Sequence, residues 1–75
     1  MELVRSQPRP VLSPREREVL ALMATGANNQ AIADQLVVTV RAVERHINSI
    51  FAKLGLTQEN DYHRRVRAVL LHLSP

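Results

Sequence analysis

Apolar residues recur at intervals of three and four along most of this chain, in four blocks separated by glycine, asparagine and polar turns. The first block is Val19, Leu20, Leu22 and Met23, introduced by Ser13-Pro14-Arg15-Glu16. That opening is a capping box with proline at the first helical position. The Ser13 hydroxyl is placed to accept from the Glu16 amide, and the Glu16 carboxylate to accept from the Ser13 amide. Gly26 supplies the left-handed residue that ends the helix. Asn28 caps a second, short helix carrying Ile32, Ala33 and Leu36 on one side. Only Ala27 and Asn28 separate it from Gly26, so the two helices must turn sharply against each other, as in the first half of a helix-turn-helix.

Thr39 caps a third helix. Val38 before it and Val43 within it are spaced as a hydrophobic staple. Val43, Ile47, Ile50 and Leu54 form one apolar stripe that runs to Gly55. A helix over about 39–54 is roughly 24 Å long, enough to cross a DNA groove. Arg41, Glu44, Arg45, Asn48 and Lys53 fill the polar positions between. A polar loop, Thr57 to Asp61, leads to a fourth helix over about 62–73, capped by Asn60 or Asp61. Tyr62, Val66, Val69, Leu70 and Leu73 lie on one side of it, Ala68 and Leu71 on another. So small a domain cannot bury both sides, and either is available to another molecule. No strand is expected; the cap and staple account for the apolar run at 37–40.

The first twelve residues have no periodicity and carry Pro8 and Pro10, so 1–12 reads as a flexible tail or linker and 13–73 as one domain. The tail is either the end of a connection to a second domain or a terminus without a role. With 75 residues, folding buries only about 60% of the unfolded surface, so the core must be thin. One Phe and one Tyr make it aliphatic, and the lack of cysteine removes disulfides and thiolate metal sites. The net charge of +3 is compatible with nucleic acid without demanding it. No apolar run approaches the roughly 20 residues that span a bilayer, and Met1–Pro10 holds no signal-like stretch. A cytoplasmic protein without membrane contact is expected.

An enzyme is not expected. No serine–histidine–acid set stands at meaningful spacing, and two glycines cannot build a phosphate loop. His46, His63 and His72 form no metal pattern, so neither metal nor cofactor is anticipated.

Leu12-Ser13-Pro14-Arg15-Glu16-Arg17-Glu18-Val19-Leu20, then Gly26, Asn29, Ile32, Ala33 and Leu36, resemble the opening of the LuxR-type helix-turn-helix domain found at the C-terminus of many response regulators. Val43-Glu44-Arg45-His46-Ile47, Ile50 and Lys53-Leu54-Gly55 resemble its recognition helix, and Arg64-Arg65-Val66-Arg67-Ala68-Val69-Leu70 its last helix. The resemblance covers roughly residues 12 to 73. It implies an all-α, four-helix LuxR-type helix-turn-helix domain with a C-terminal dimerisation helix, acting in bacterial transcription regulation. It departs from the family at Val37, where glycine is usual, at Ala42, where threonine is frequent, and in a longer loop at 57–63.

The resemblance places the third helix in the major groove of double-stranded DNA, with Glu44, Arg45 and Asn48 facing the bases. Arginine can donate twice to guanine, asparagine can pair with adenine, and glutamate can accept from cytosine. Thr39, Arg41 and Lys53 would contact phosphates, as would His46 from beside the buried stripe. The fourth helix would pair two copies as a homodimer, with Val66, Val69, Leu70 and Leu73 as candidate contacts. RNA polymerase and an N-terminal regulatory domain absent from this chain are the further partners implied. A rival reading is a protein-interaction module whose third helix docks on another protein, which Glu44 beside Arg45 leaves open. An RNA binder is disfavoured by the scarcity of aromatics for stacking bases.

Overall fold

A computed structural model describes residues 11–56 and 61–73 of the chain. Most of the expected tail, most of the polar loop with the Asn60 cap, and the side chains of Asp61 and Tyr62 lie outside the described residues. Four helices are present, α1 (Pro14–Ala24), α2 (Asn29–Leu36), α3 (Val40–Lys53) and α4 (Asp61–Leu73), with no strand among the described residues. The all-α expectation holds.

Each of the first three helices starts on the side-chain cap that the sequence placed there. Ser13 Oγ accepts from the Glu16 amide at 3.1 Å, and Glu16 Oε1 accepts from the Ser13 amide at 2.8 Å. Asn28 Oδ1 accepts from the Ala31 amide at 2.9 Å, and Thr39 Oγ1 from the Ala42 amide at 3.0 Å. Such caps stabilise a helix by about 1 kcal/mol each. All three helices also end alike, on a residue with positive φ: Gly26 at 90°, Val37 at 57° and Gly55 at 73°. The next amide then reaches back to a carbonyl five residues earlier. Ala27 donates to Leu22 at 3.3 Å, Val38 to Ala33 at 3.0 Å and Leu56 to Phe51 at 2.8 Å, which satisfies helix-end carbonyls otherwise left orphaned.

α1 packs against α3 and α4, and α2 packs against α3. The core contains Val19, Leu20 and Met23 of α1, Ile32 and Ala33 of α2, and Val43, Ile47, Ile50 and Phe51 of α3. Leu56 and Ala68 complete it, while Leu36, Val38, Leu54 and Val69 pack at its edge. The expected stripes of the first three helices thus form or border the core, with two additions. Phe51, four residues beyond Ile47, widens the α3 stripe and carries the Arg64 guanidinium 4.8 Å from its ring centroid. Leu56, just past Gly55, is folded back under α3. α4 starts at Asp61, one residue before its expected start, so Asp61 is a helical residue. Its inward side is Ala68, fully buried, and Val69; Val66, Leu70, Leu71 and Leu73 are exposed.

A carboxylate is buried at the edge of this core. Glu16, only 5% exposed, uses the carboxylate oxygen of its capping box to accept from Lys53 Nζ at 2.8 Å. Its other oxygen accepts from the Ser49 hydroxyl. The same ammonium lies 3.4 Å from the Val11 carbonyl, and Arg17 Nη1 donates to the Leu12 carbonyl at 3.0 Å. Leu12 packs on the core, so the chain is fixed from just before the capping box. A single carboxylate therefore closes the start of α1 and fastens it to the last two turns of α3.

Burial alone would raise the Glu16 pKa; the bonds from Lys53, Ser49 and Ser13 overcome that and hold it at about 2, against an ordinary 4.5. A carboxyl whose pKa is depressed by folding contributes stability fully above its unfolded value and loses it as pH falls toward the folded one. Between pH 6 and pH 3 this one group should account for about 2 kcal/mol of lost stability. Urea unfolding at the two pH values measures it, and Glu16→Gln should flatten the dependence by that amount. A variant with the unsubstituted chain's pH profile would show that Glu16 is not the titrating anchor.

Candidate nucleic-acid interface

α2, the turn at Val37–Thr39 and α3 form the helix-turn-helix. Its turn is made by a residue poorly suited to it. Val37 sits at φ 57°, ψ 49°, in the left-handed region that a β-branched side chain resists, and it is 88% exposed. Val37 thus takes up the left-handed conformation that glycine adopts freely. The 6→1 bond from Val38 and the burial of Ala33 and Val43 on either side of the turn hold the valine there. The cost of that conformation is about 1–2 kcal/mol, and no buried side-chain contact repays it.

α3 has 14 residues and is about 21 Å long. Its buried back is Val43, Ile47, Ile50 and Phe51. At 3.6 residues per turn, Arg41, Glu44, Arg45 and Asn48 fall within an arc of about 100° on the outer side of the helix, with Glu44 at the edge next to that back, and all four are exposed. Thr39 is exposed at the N-terminal end of the same helix, where unpaired backbone amides and the helix dipole favour a phosphate. The three expected base readers, Glu44, Arg45 and Asn48, are thus together, with Arg41 among them.

Lys53 and His46 are placed differently. Both lie on the flank of α3 turned toward α1, with Ser49 between them, and His46 is half-buried. The Lys53 side chain remains 40% exposed although its ammonium is held by Glu16. The opposite flank faces α4. There Asn29, Glu44, Ile47, Asn48 and Arg65 line a polar depression of about 230 Å³. Asn29 and Arg65 belong to this surface, and periodicity along α3 alone could not find them. Their signal is tertiary: Arg65 Nη1 donates to Asn29 Oδ1 at 2.9 Å.

On α4, Val66, Leu70 and Leu73 recur at helical spacing and are 39%, 59% and 65% exposed. Val69, the fourth of the expected pairing contacts, packs partly against the core. An apolar groove of about 290 Å³ lies beside them, lined by Met23, Ala27, Val66, Val69 and Leu70 among others. Among the described residues no group of three His, Asp or Glu side chains could hold a metal, and no helix is long and apolar enough to cross a membrane.

A capped, exposed polar helix fixed behind a tight helix-turn-helix defines a DNA-binding module of the kind used in transcription regulation. Residues 10–66 match the family described as bacterial regulatory proteins, luxR family, and the chain belongs to that family. It is 49% identical over 51 residues to the oxygen regulatory protein NreC of Staphylococcus aureus strains bovine RF122 / ET3-1 and MRSA252, and 47% identical to that of strain JH9. These matches cover 68% of this chain and 24% of each relative, so the chain spans about a quarter of the length of the curated relatives it matches.

Because Val37 is strained and exposed, Val37→Gly should stabilise the domain. Relief of about 1–2 kcal/mol is partly offset by the added chain entropy of glycine, leaving up to about 1 kcal/mol. Chemical denaturation reads this directly. A destabilised glycine variant would mean that the valine side chain makes a contact outweighing its strain.

Proposed function

We propose that the domain binds double-stranded DNA sequence-specifically, with α3 in the major groove and two copies paired through α4. The observation that carries this reading is the exposed arc of Arg41, Glu44, Arg45 and Asn48 on a helix whose opposite side is anchored in the core. In helix-turn-helix proteins the N-terminal half of the second helix faces base edges; Arg41, Glu44 and Arg45 occupy that half, and Asn48 stands one turn beyond Glu44 on the same face. Arg45 donates two guanidinium N–H groups to guanine O6 and N7, Asn48 pairs with adenine N6 and N7, and Glu44 accepts from cytosine N4.

Thr39, with the start of α3, and Arg41 contact phosphates beside these bases and set the register. Lys53 and His46 contact phosphate from the flank near α1. An ammonium has three donors, so Lys53 can keep Glu16 and still offer one. Val66, Leu70 and Leu73, with the edge of Val69, form the pairing surface, and pairing raises the affinity of two individually weak half-sites. The short coverage of the NreC relatives supports a longer regulator in which a separate N-terminal domain controls this one, within the bacterial cytoplasm. RNA polymerase is the partner through which a DNA-bound regulator of this kind acts on transcription.

Selection from a random duplex library, at two salt concentrations and with Arg45→Ala in parallel, tests the reading. The unsubstituted chain should enrich a two-fold symmetric motif and bind more weakly as salt rises. Arg45→Ala should relax the preference at one base pair per half-site, by roughly tenfold. Failure to enrich any sequence at low salt would instead favour the protein-docking reading of α3.

A further inference from the structure

Arg65 borders both functional surfaces. It lies on α4 and lines the apolar groove beside Val66, Val69 and Leu70, yet it also lines the polar depression that contains Glu44 and Asn48. Its guanidinium is spent on α2: Nη1 donates to Asn29 Oδ1 at 2.9 Å, and Nη2 lies 3.4 Å from the Ala27 carbonyl. Ala27 and Asn29 flank Asn28, the residue that caps α2. The two contacts therefore fix α4 to the start of α2, across the depression from the exposed arc of α3. The neighbouring Arg64 does something else, lying over the Phe51 ring in the core.

We propose that Arg65 is a positioning residue for base reading, holding the start of α2 and the Glu44–Asn48 side of α3 in register with the pairing helix. This rests on the DNA-reading function proposed above. The planar guanidinium suits the task because it directs two donors at two acceptors at once, whereas a lysine ammonium is a single point on a flexible stem. Its positive charge also borders the depression that holds Glu44, and this lessens the repulsion between that carboxylate and the phosphates it must pass. Arg65 itself touches neither base nor phosphate. Its removal should blur discrimination at the base pairs that Glu44 and Asn48 face and leave the number of phosphate contacts unchanged.

The test is library selection with the full chain, Arg65→Ala and Arg65→Lys, with thermal unfolding and the salt dependence of binding measured on each. Arg65→Ala should retain the half-site spacing and the salt slope while losing roughly tenfold discrimination at those base pairs, the scale of one good bidentate contact. Arg65→Lys keeps the charge and loses the fork, so it should recover only part of that discrimination. If Arg65→Ala does not fold, the Arg65→Lys profile decides alone. A salt slope lower by about one would make Arg65 a phosphate contact and overturn the proposal. A lowered melting temperature with an unchanged base profile would make it a purely structural residue. Absence of any motif with the unsubstituted chain would instead remove the DNA-reading function, and this proposal with it.

Discussion

The ionised carboxylate of Glu16 is the interaction on which the other features of this domain depend. A charge taken out of water is costly unless every lone pair facing the interior is satisfied. Glu16 meets that requirement with the Ser13 amide, the Ser49 hydroxyl and the Lys53 ammonium. The first belongs to its own helix start and the other two to α3. The carboxylate thus does for α1 and α3 what apolar contact alone does loosely: it fixes their rotation and axial register. Removing Lys53 would leave the buried carboxylate without its counter-ion, the costly case, whereas removing Glu16 would leave an ammonium that water already reaches.

From that fastening the two-sided character of α3 follows. Val43, Ile47, Ile50 and Phe51 face inward, Ser49 and Lys53 hold the α1 flank, and Glu44 with Asn48 borders the α4 flank. What remains is the arc around Arg41 and Arg45, projecting away from the core. The valine at the turn shows how strongly the fold dictates this placement. Local preference at Val37 opposes a left-handed conformation, yet the turn is made, since Ile32 and Ala33 before it and Val43 after it are buried in one cluster. Burial of Ile32 and Val43, each contributing some 1.5–3 kcal/mol, outweighs one strained dihedral pair.

What the sequence discloses here is mostly what is local. The caps at Ser13, Asn28 and Thr39 and the glycine ends at Gly26 and Gly55 act within five residues, and each was readable in order. The Glu16 carboxylate was readable only as a capping-box member. Its two other partners lie 33 and 37 residues away, a distance over which no periodicity speaks. α4 resisted for a different reason. With apolar residues around much of its circumference, nothing in the pattern distinguishes the side packed on α1, which is Ala68 and Val69, from the side left exposed. The reading face was legible as polar positions opposite an apolar stripe, and the LuxR resemblance supplied what such a face reads. The contribution of Asn29 and Arg65 to its edge required three helices to be assembled first.

α3 is anchored from behind and free in front, and amide chemical shifts of the labelled chain, followed as duplex DNA is added at low salt, test that most directly. The amides of Thr39 through Asn48 should move, together with the side-chain amide of Asn48. Those of Ser13, Glu16 and Ser49 should keep their free-state positions, because the fastening behind α3 does not change on binding. Shifts confined to α4, or spread through the Glu16 cluster while residues 39–48 stay still, would mean that α3 is not the DNA-facing helix.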